Sequence, residues 1–212
     1  MDLGTVRQWV IEGNAPAVED GVRQALEGQV APEVILKEAL ISAMDEVGKR
    51  FEAGDFFVPE MLIAARAMKT GIALLRPLLA ETGVEPVGKV IIGTVKGDLH
   101  DIGKNLVGLM LEGAGFEVVD LGTDVSIEAF VDSVRQEQPQ ILGMSALLTT
   151  TMPSAAEVVK ALADAGVRGQ VKVLVGGAPV TEAYAEQIGA DGYAPDAAAA
   201  VKRAKNLIGL TD

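Results

Sequence analysis

The segment KVIIGTVKGDLHDIGKNLVGLMLEGAGFEVVDL, residues 89–121, decides how the larger part of this chain folds. It opens on a short apolar run, KVIIGTV at 89–95, which reads as a buried strand. A helix-period stretch follows from about 103 to 114, and FEVVDL at 116–121 reads as a second strand. Strand, helix, strand is the unit whose crossover makes neighbouring strands parallel. The alternation then continues through a helix at 126–137, QILGMS at 140–145, a helix at 154–166, VKVLVGG at 171–177, a helix at 181–188, a short DGYA strand and a last helix from about 196. Five such units predict a flavodoxin-like (Rossmann-type) doubly wound five-stranded parallel sheet covered by helices on both faces. Ligands of such sheets sit beyond the carboxyl ends of the strands, at the topological switch point.

Working outward towards the N-terminus, GVEPVG at 83–88 is a short connector, and the pattern before it is helical throughout. In residues 32–52, Ile35, Leu36, Ala39, Leu40, Ala43, Met44, Val47 and Phe51 recur at three- and four-residue spacings, which predicts one helix with a single buried face. Pro59 opens a further helix through about residue 80, with Met61, Leu62, Ala65, Met68, Ile72 and Leu75 on its inner side. Two shorter helices are predicted within 2–12 and 15–27. The expected organisation is a helical bundle over 1–86 and an α/β domain over 87–212.

Composition narrows the chemistry. The chain of 212 residues has no cysteine and one histidine, which excludes disulfides, zinc–thiolate sites, iron–sulfur clusters and cysteine nucleophiles. Its net charge of −12 is shared evenly, with 8 basic and 14 acidic side chains up to Gly88 and 10 and 16 after it. No basic face is hidden in the total, which argues against nucleic acid as a partner. The N-terminus lacks the pattern of a secretory signal and no apolar run approaches the length of a membrane span, so the sequence reads as cytoplasmic with no membrane partner.

The first strand end reads GDLHDIGKN at 97–105 and holds the only histidine. A phosphate-cradling P-loop needs four residues between its glycines and a Ser or Thr after the lysine; here five residues separate Gly97 from Gly103, and Asn105 follows Lys104. The dinucleotide fingerprint is also absent, and one histidine cannot build a zinc or dinuclear centre. A metal whose equatorial positions are filled by a macrocycle needs only one protein ligand. A neutral imidazole binds such a metal while its other N–H is oriented by a carboxylate, and Asp98 is placed to do this. Asp101 reads as a cap for the helix starting near Gly103. On spacing alone a structural histidine fits equally well. Ser145 and Thr149 are either ligand contacts or caps for a helix beginning near Pro153, and Gly176-Gly177 is either a close approach to a ligand or a tight turn.

Asp98-x-His100-x-x-Gly103, followed by Ser145-x-Leu147 after the third strand and Gly176-Gly177 after the fourth, resembles the three-part signature of cobalamin-binding domains. The run GTVKGDLHDIGKN at 93–105 is similar to methionine synthase and to the methanol-, methylamine- and methoxyarene-type corrinoid proteins of multi-component methyltransferases. The helical bundle resembles the cap module of that family, so the resemblance spans nearly the whole chain. It implies a cobalamin or related corrinoid bound base-off and His-on, with His100 as the metal ligand below the cobalt and Asp98 hydrogen-bonded to its imidazole. Gly97, Asp98, Leu99 and Asp101 would line the lower corrin face, and Ile102 and Gly103 complete that loop. Ser145, Leu147 and Thr149 would contact the nucleotide tail, Gly176 and Gly177 would make room for it, and Ala197 would touch the cofactor again. Thr151 stands where methionine synthase has the serine of its His–Asp–Ser hydrogen-bond chain. The corner at 54–60, with Phe57, would cover the upper corrin face, and the connector at 83–88 would serve as a hinge.

The function so implied is a methyl carrier without catalytic residues of its own. It would accept a methyl group on cobalt(I) from a substrate-specific methyltransferase and donate it from methylcobalt(III) to a second methyltransferase acting on coenzyme M or tetrahydrofolate. A reductive activator would be a third partner. A B12-dependent sensor or regulatory protein, or the cobalamin-binding subunit of a mutase, are the alternative readings.

Overall fold

In the computed structural model, residues 1–82 and 85–210 are described. The chain forms two compact units, one of residues 1–87 with 112–115 and one of residues 88–111 with 116–212. Gly83 and Val84 of the expected hinge lie outside the described residues.

The first unit is helical. Helix α1 (Leu3–Ile11) is capped by Asp2, whose carboxylate accepts from the Gly4 and Thr5 N–H groups at 3.2 and 3.1 Å. Helix α2 (Ala15–Glu27) is capped in the same way by Asn14, through Ala17 N–H at 3.3 Å. The single helix expected over 32–52 is broken in hydrogen-bond type: α3 (Pro32–Val34) leads into a π-helical stretch (Ile35–Ile41) and then α4 (Ser42–Ala53). Spacing on one face does not distinguish i→i+4 from i→i+5 ladders over so short a run. Ile35, Ala39, Leu40, Ala43, Met44 and Val47 are buried as expected, with Leu36 and Phe51 half-buried. Helix α5 (Val58–Thr82) follows Phe57, whose N–H donates to Glu60 Oε2 at 2.9 Å. Leu62 departs from expectation: it is exposed, together with Phe57, Val58 and Ile63.

The second unit carries the sheet. Strands β1 (Lys89–Thr94), β2 (Glu117–Asp120), β3 (Ile141–Ser145), β4 (Lys172–Gly176) and β5 (Gly192–Ala194) are all parallel, in the order β2-β1-β3-β4-β5. Each lies within a residue or two of its expected span. The connecting helices are α6 (Ile102–Gly113), α7 (Ile127–Glu137), α8 (Met152–Asp164) and α9 (Glu182–Ile188), and α10 (Ala197–Leu207) closes the fold. A 3₁₀ turn at Arg168–Gln170, unmarked in the sequence pattern, precedes β4. The central strands are apolar on both faces, and Ile91, Leu142, Phe130, Val158, Leu162 and Val173 belong to one core cluster. Gly93 is the seat of Phe130: a Cβ there would lie 2.8 Å from the ring. Strand order reverses between β1 and β3, so the loops leaving these two strands diverge and leave a crevice between them.

Candidate functional site

Both loops at that crevice are organised by Asp98. The chain turns sharply after β1, with Asp98 N–H donating to Val95 O at 3.1 Å and Gly97 in the left-handed region at φ +84°. This drops the Asp98 side chain into the protein, where it is fully buried. Its Oδ2 accepts the Leu147 N–H at 2.7 Å and the Thr151 hydroxyl at 2.8 Å, both from the loop after β3. Its Oδ1 accepts the His100 N–H at 3.1 Å and faces His100 Nδ1 at 2.7 Å. Burial opposes the charge, but the hydrogen bonds from Leu147, the His100 ring, the His100 N–H and Thr151 outweigh it and hold the carboxyl well below the usual carboxylate range.

In a neutral imidazole, an acceptor-only carboxylate at Oδ1 requires the ring proton on Nδ1, which leaves the lone pair on Nε2. The His100 side chain is 51% exposed, so that lone pair is open to a ligand. The backbone around it is held by residues that sequence reasoning did not mark. Buried Thr94 donates its hydroxyl to His100 O at 2.9 Å. Asp124, in the left-handed region at φ +52°, accepts the Gly97 N–H at 2.7 Å and donates its own N–H to Asp98 O at 2.9 Å. Asp is one of the few residues that tolerates this conformation, and that is the only local signal it carried.

The other expected residues gather around this centre to different degrees. Leu99 and Ile102 flank His100 and are 74% and 79% exposed, while Leu147 and Leu148 across the crevice are also exposed. Four large apolar side chains open to water around one imidazole form a patch that needs a partner. Thr149 is exposed and Ser145, the last residue of β3, is half-buried; neither caps α8, whose N-cap position is held by Thr151. The Thr151 hydroxyl oxygen accepts no helix N–H, and its single proton is shared between Asp98 Oδ2 at 2.8 Å and Leu148 O at 2.9 Å. Asp101 directly precedes α6, where its carbonyl accepts the Asn105 N–H at 2.7 Å and its carboxylate accepts from the Asn105 side-chain amide at 3.1 Å.

Gly177 is required by the fold itself. At φ +124° it lies so close to the β3 loop that a Cβ would stand 1.9 Å from Ala146 O, and at Gly176 a Cβ would meet Ala194 O at 3.0 Å. Gly103 is the opposite case, since a Cβ there meets nothing within 4 Å. Ala197 is buried at the start of α10, which Asp196 caps through Ala199 N–H at 2.8 Å.

The B12 binding domain family model matches residues 88–202, and a second B12 binding domain model matches residues 4–76. Dimethylamine corrinoid protein 1 of Methanosarcina acetivorans is 44% identical, over 90% of this chain and 91% of its own. This chain belongs to the B12-binding corrinoid protein family. The trimethylamine corrinoid protein of Methanosarcina barkeri is likewise 44% identical, over 97% of both chains. The structure of the methanol:cobalamin methyltransferase complex MtaBC from Methanosarcina barkeri superposes with a TM-score of 0.84 at 32% identity, covering 98% of this chain and 80% of that one.

The crevice of this family member fits a corrinoid on its own geometry. A lone pair is presented by a fixed imidazole, the surround is exposed and apolar as a flat macrocycle demands, and Gly103 keeps open a space that packing does not require. No cluster of three or more His, Cys, Asp or Glu suited to a metal ion exists among the described residues. No helix among the described residues is long and apolar enough to cross a membrane.

Proposed function

We propose that this protein is a methyl carrier that holds a corrinoid base-off and His-on, with His100 Nε2 below the cobalt. The observation that carries this reading is the half-exposed imidazole whose Nδ1 is clamped at 2.7 Å by a fully buried carboxylate. A bound corrinoid supplies a cobalt that takes a methyl group from one enzyme and yields it to another. The chain's own residues hold, orient and shield. Asp98 fixes the imidazole tautomer and orientation, Thr151 and Leu147 N–H keep Asp98 charged, and Leu99, Ile102, Leu147 and Leu148 exclude water beneath the macrocycle. Gly97, Asp98, Leu99, His100, Asp101, Ile102 and Gly103 form the lower-face loop. Ser145, Leu147, Thr149, Gly176, Gly177 and Ala197 flank the path of the nucleotide tail. Residues 1–86 act as the cap module, in which Phe57 is exposed. The partners are a substrate-specific methyltransferase, a second one acting on coenzyme M or tetrahydrofolate, and a reductive activator. The dimethylamine and trimethylamine relatives favour a methylamine as the methyl source, in the cytoplasm.

Reconstitution with hydroxocobalamin tests the reading. Wild type is expected to show the His-on spectrum and to be methylated by a methylamine:corrinoid methyltransferase. His100→Ala, whose lost side chain is 51% exposed, is expected to keep its fold and show a base-off spectrum. Identical spectra from the two proteins would end the assignment of His100 as ligand.

Gly103→Ala separates folding from binding. Replacing a helical glycine that no neighbour crowds should stabilise the free protein by about 0.5–1 kcal/mol in a urea titration. The same methyl group should weaken hydroxocobalamin binding, because it fills the space kept for the macrocycle. An unaltered dissociation constant would remove Gly103 from the site.

A further inference from the structure

Lys104 is the one strongly buried cation near the crevice among the described residues, with a side chain 1% exposed. Its ammonium donates to Asp120 Oδ2 at 2.5 Å and to Asn105 Oδ1 at 2.8 Å. Asn105 Nδ2 then donates to Asp101 Oδ2 at 3.1 Å, and Asp120 Oδ1 accepts the Gly122 N–H at 2.8 Å. A side-chain relay thus runs from the carboxyl end of β2, through the first turn of α6, to the residue that follows His100. Burying an ammonium is expensive, and an apolar side chain of similar length fills the same slot without that cost. At 1% exposure the amine cannot touch a ligand. Its action must pass through the groups it holds.

We infer that Lys104 is a positioning residue for His100: it ties the start of α6 to β2 and so fixes the loop at Asp101, on the side away from the β3 loop that anchors Asp98. The histidine loop is then held at both ends, and the imidazole is presented in its ligating pose before any cofactor arrives. This deepens the corrinoid reading and rests on it for the identity of the ligand, but the pose of the free imidazole does not depend on it.

Because the protein has one histidine, a ¹⁵N imidazole NMR spectrum of the free protein reports His100 alone. Wild type, Lys104→Met and Asn105→Ala are compared without cofactor, and then titrated with hydroxocobalamin. Asp120 is 44% exposed, so water can take over its charge when the ammonium is removed. Lys104→Met is expected to shift or broaden the Nδ1 signal and to weaken hydroxocobalamin binding by about tenfold or more, the usual scale for groups that orient a metal ligand. Asn105→Ala cuts only the link to Asp101 and should move both readouts in the same direction by less. If Lys104→Met lowers the melting temperature but leaves the imidazole signals and the affinity unchanged, Lys104 is structural only and the inference is overturned. Should Lys104→Met fail to fold, Asn105→Ala decides by the same criteria. A wild-type protein that ignores hydroxocobalamin refutes the corrinoid reading and leaves the imidazole comparison to judge Lys104 by itself.

Discussion

Asp98→Asn is expected to destabilise the free protein by about 2–4 kcal/mol and to weaken corrinoid binding by roughly 10–100-fold. The size follows from what the carboxylate accepts. Oδ1 takes two donors from His100, and Oδ2 takes the Leu147 N–H and the Thr151 hydroxyl. An asparagine offers one oxygen, so whichever way its amide lies, an NH₂ group is pressed against donors at a fully buried position. Thr151 can turn to Leu148 O, at 2.9 Å, but the Leu147 or His100 N–H cannot turn away. Urea denaturation of the free protein and a hydroxocobalamin titration measure the two effects; a variant as stable as wild type would mean that Asp98 is not the anchor of both loops.

The same anchor sets an acid limit. The folded carboxyl is held below its ordinary value, so its stabilising contribution is complete above the unfolded carboxylate value of roughly pH 4 and is lost as pH falls below it towards the folded value. Asp98→Asn should flatten that acid-side loss.

Gly177→Ala is expected to be the most damaging single methyl group in the sheet unit, costing about 4 kcal/mol or more, or yielding no soluble folded protein. Two independent penalties meet there. The φ of +124° is unfavourable for any residue with a Cβ, and that Cβ would stand 1.9 Å from Ala146 O. Ala146 is itself tied by its N–H to Gly176 O at 3.1 Å, so the β3 loop cannot retreat without giving up a ladder bond beside the Asp98 anchor. Gly176→Ala, with a single 3.0 Å approach and no positive φ, serves as the milder control. Equal circular dichroism melts for Gly177→Ala and wild type would contradict the loop packing described above.

Periodicity reads well where one residue's burial predicts its neighbour's. The five strands and their crossovers were legible for that reason, because a parallel sheet covered on both faces leaves short uninterrupted apolar runs. The π-helical stretch at Ile35–Ile41 was not legible, since the change of ladder leaves the buried positions nearly where an α-helix puts them. Leu62 failed for a related reason: the pattern reports an apolar side chain, whereas its exposure is set by what lies opposite.

Within the crevice, the division follows separation along the chain. The Asp98–His100 pair is two residues apart, and such a spacing can be weighed by eye. Asp98 meets Leu147 and Thr151 across 49 and 53 residues, Gly97 meets Asp124 across 27, and Lys104 meets Asp120 across 16. None of these pairings leaves a local trace. The sequence by itself determined the fold class, the family and the pairing of its single histidine with Asp98, because each depends on residue type and short-range repeat. Only the tertiary structure decided how that side chain is held, since strand order 2-1-3-4-5 alone brings the ends of β1, β2 and β3 together and turns distant donors and acceptors into neighbours.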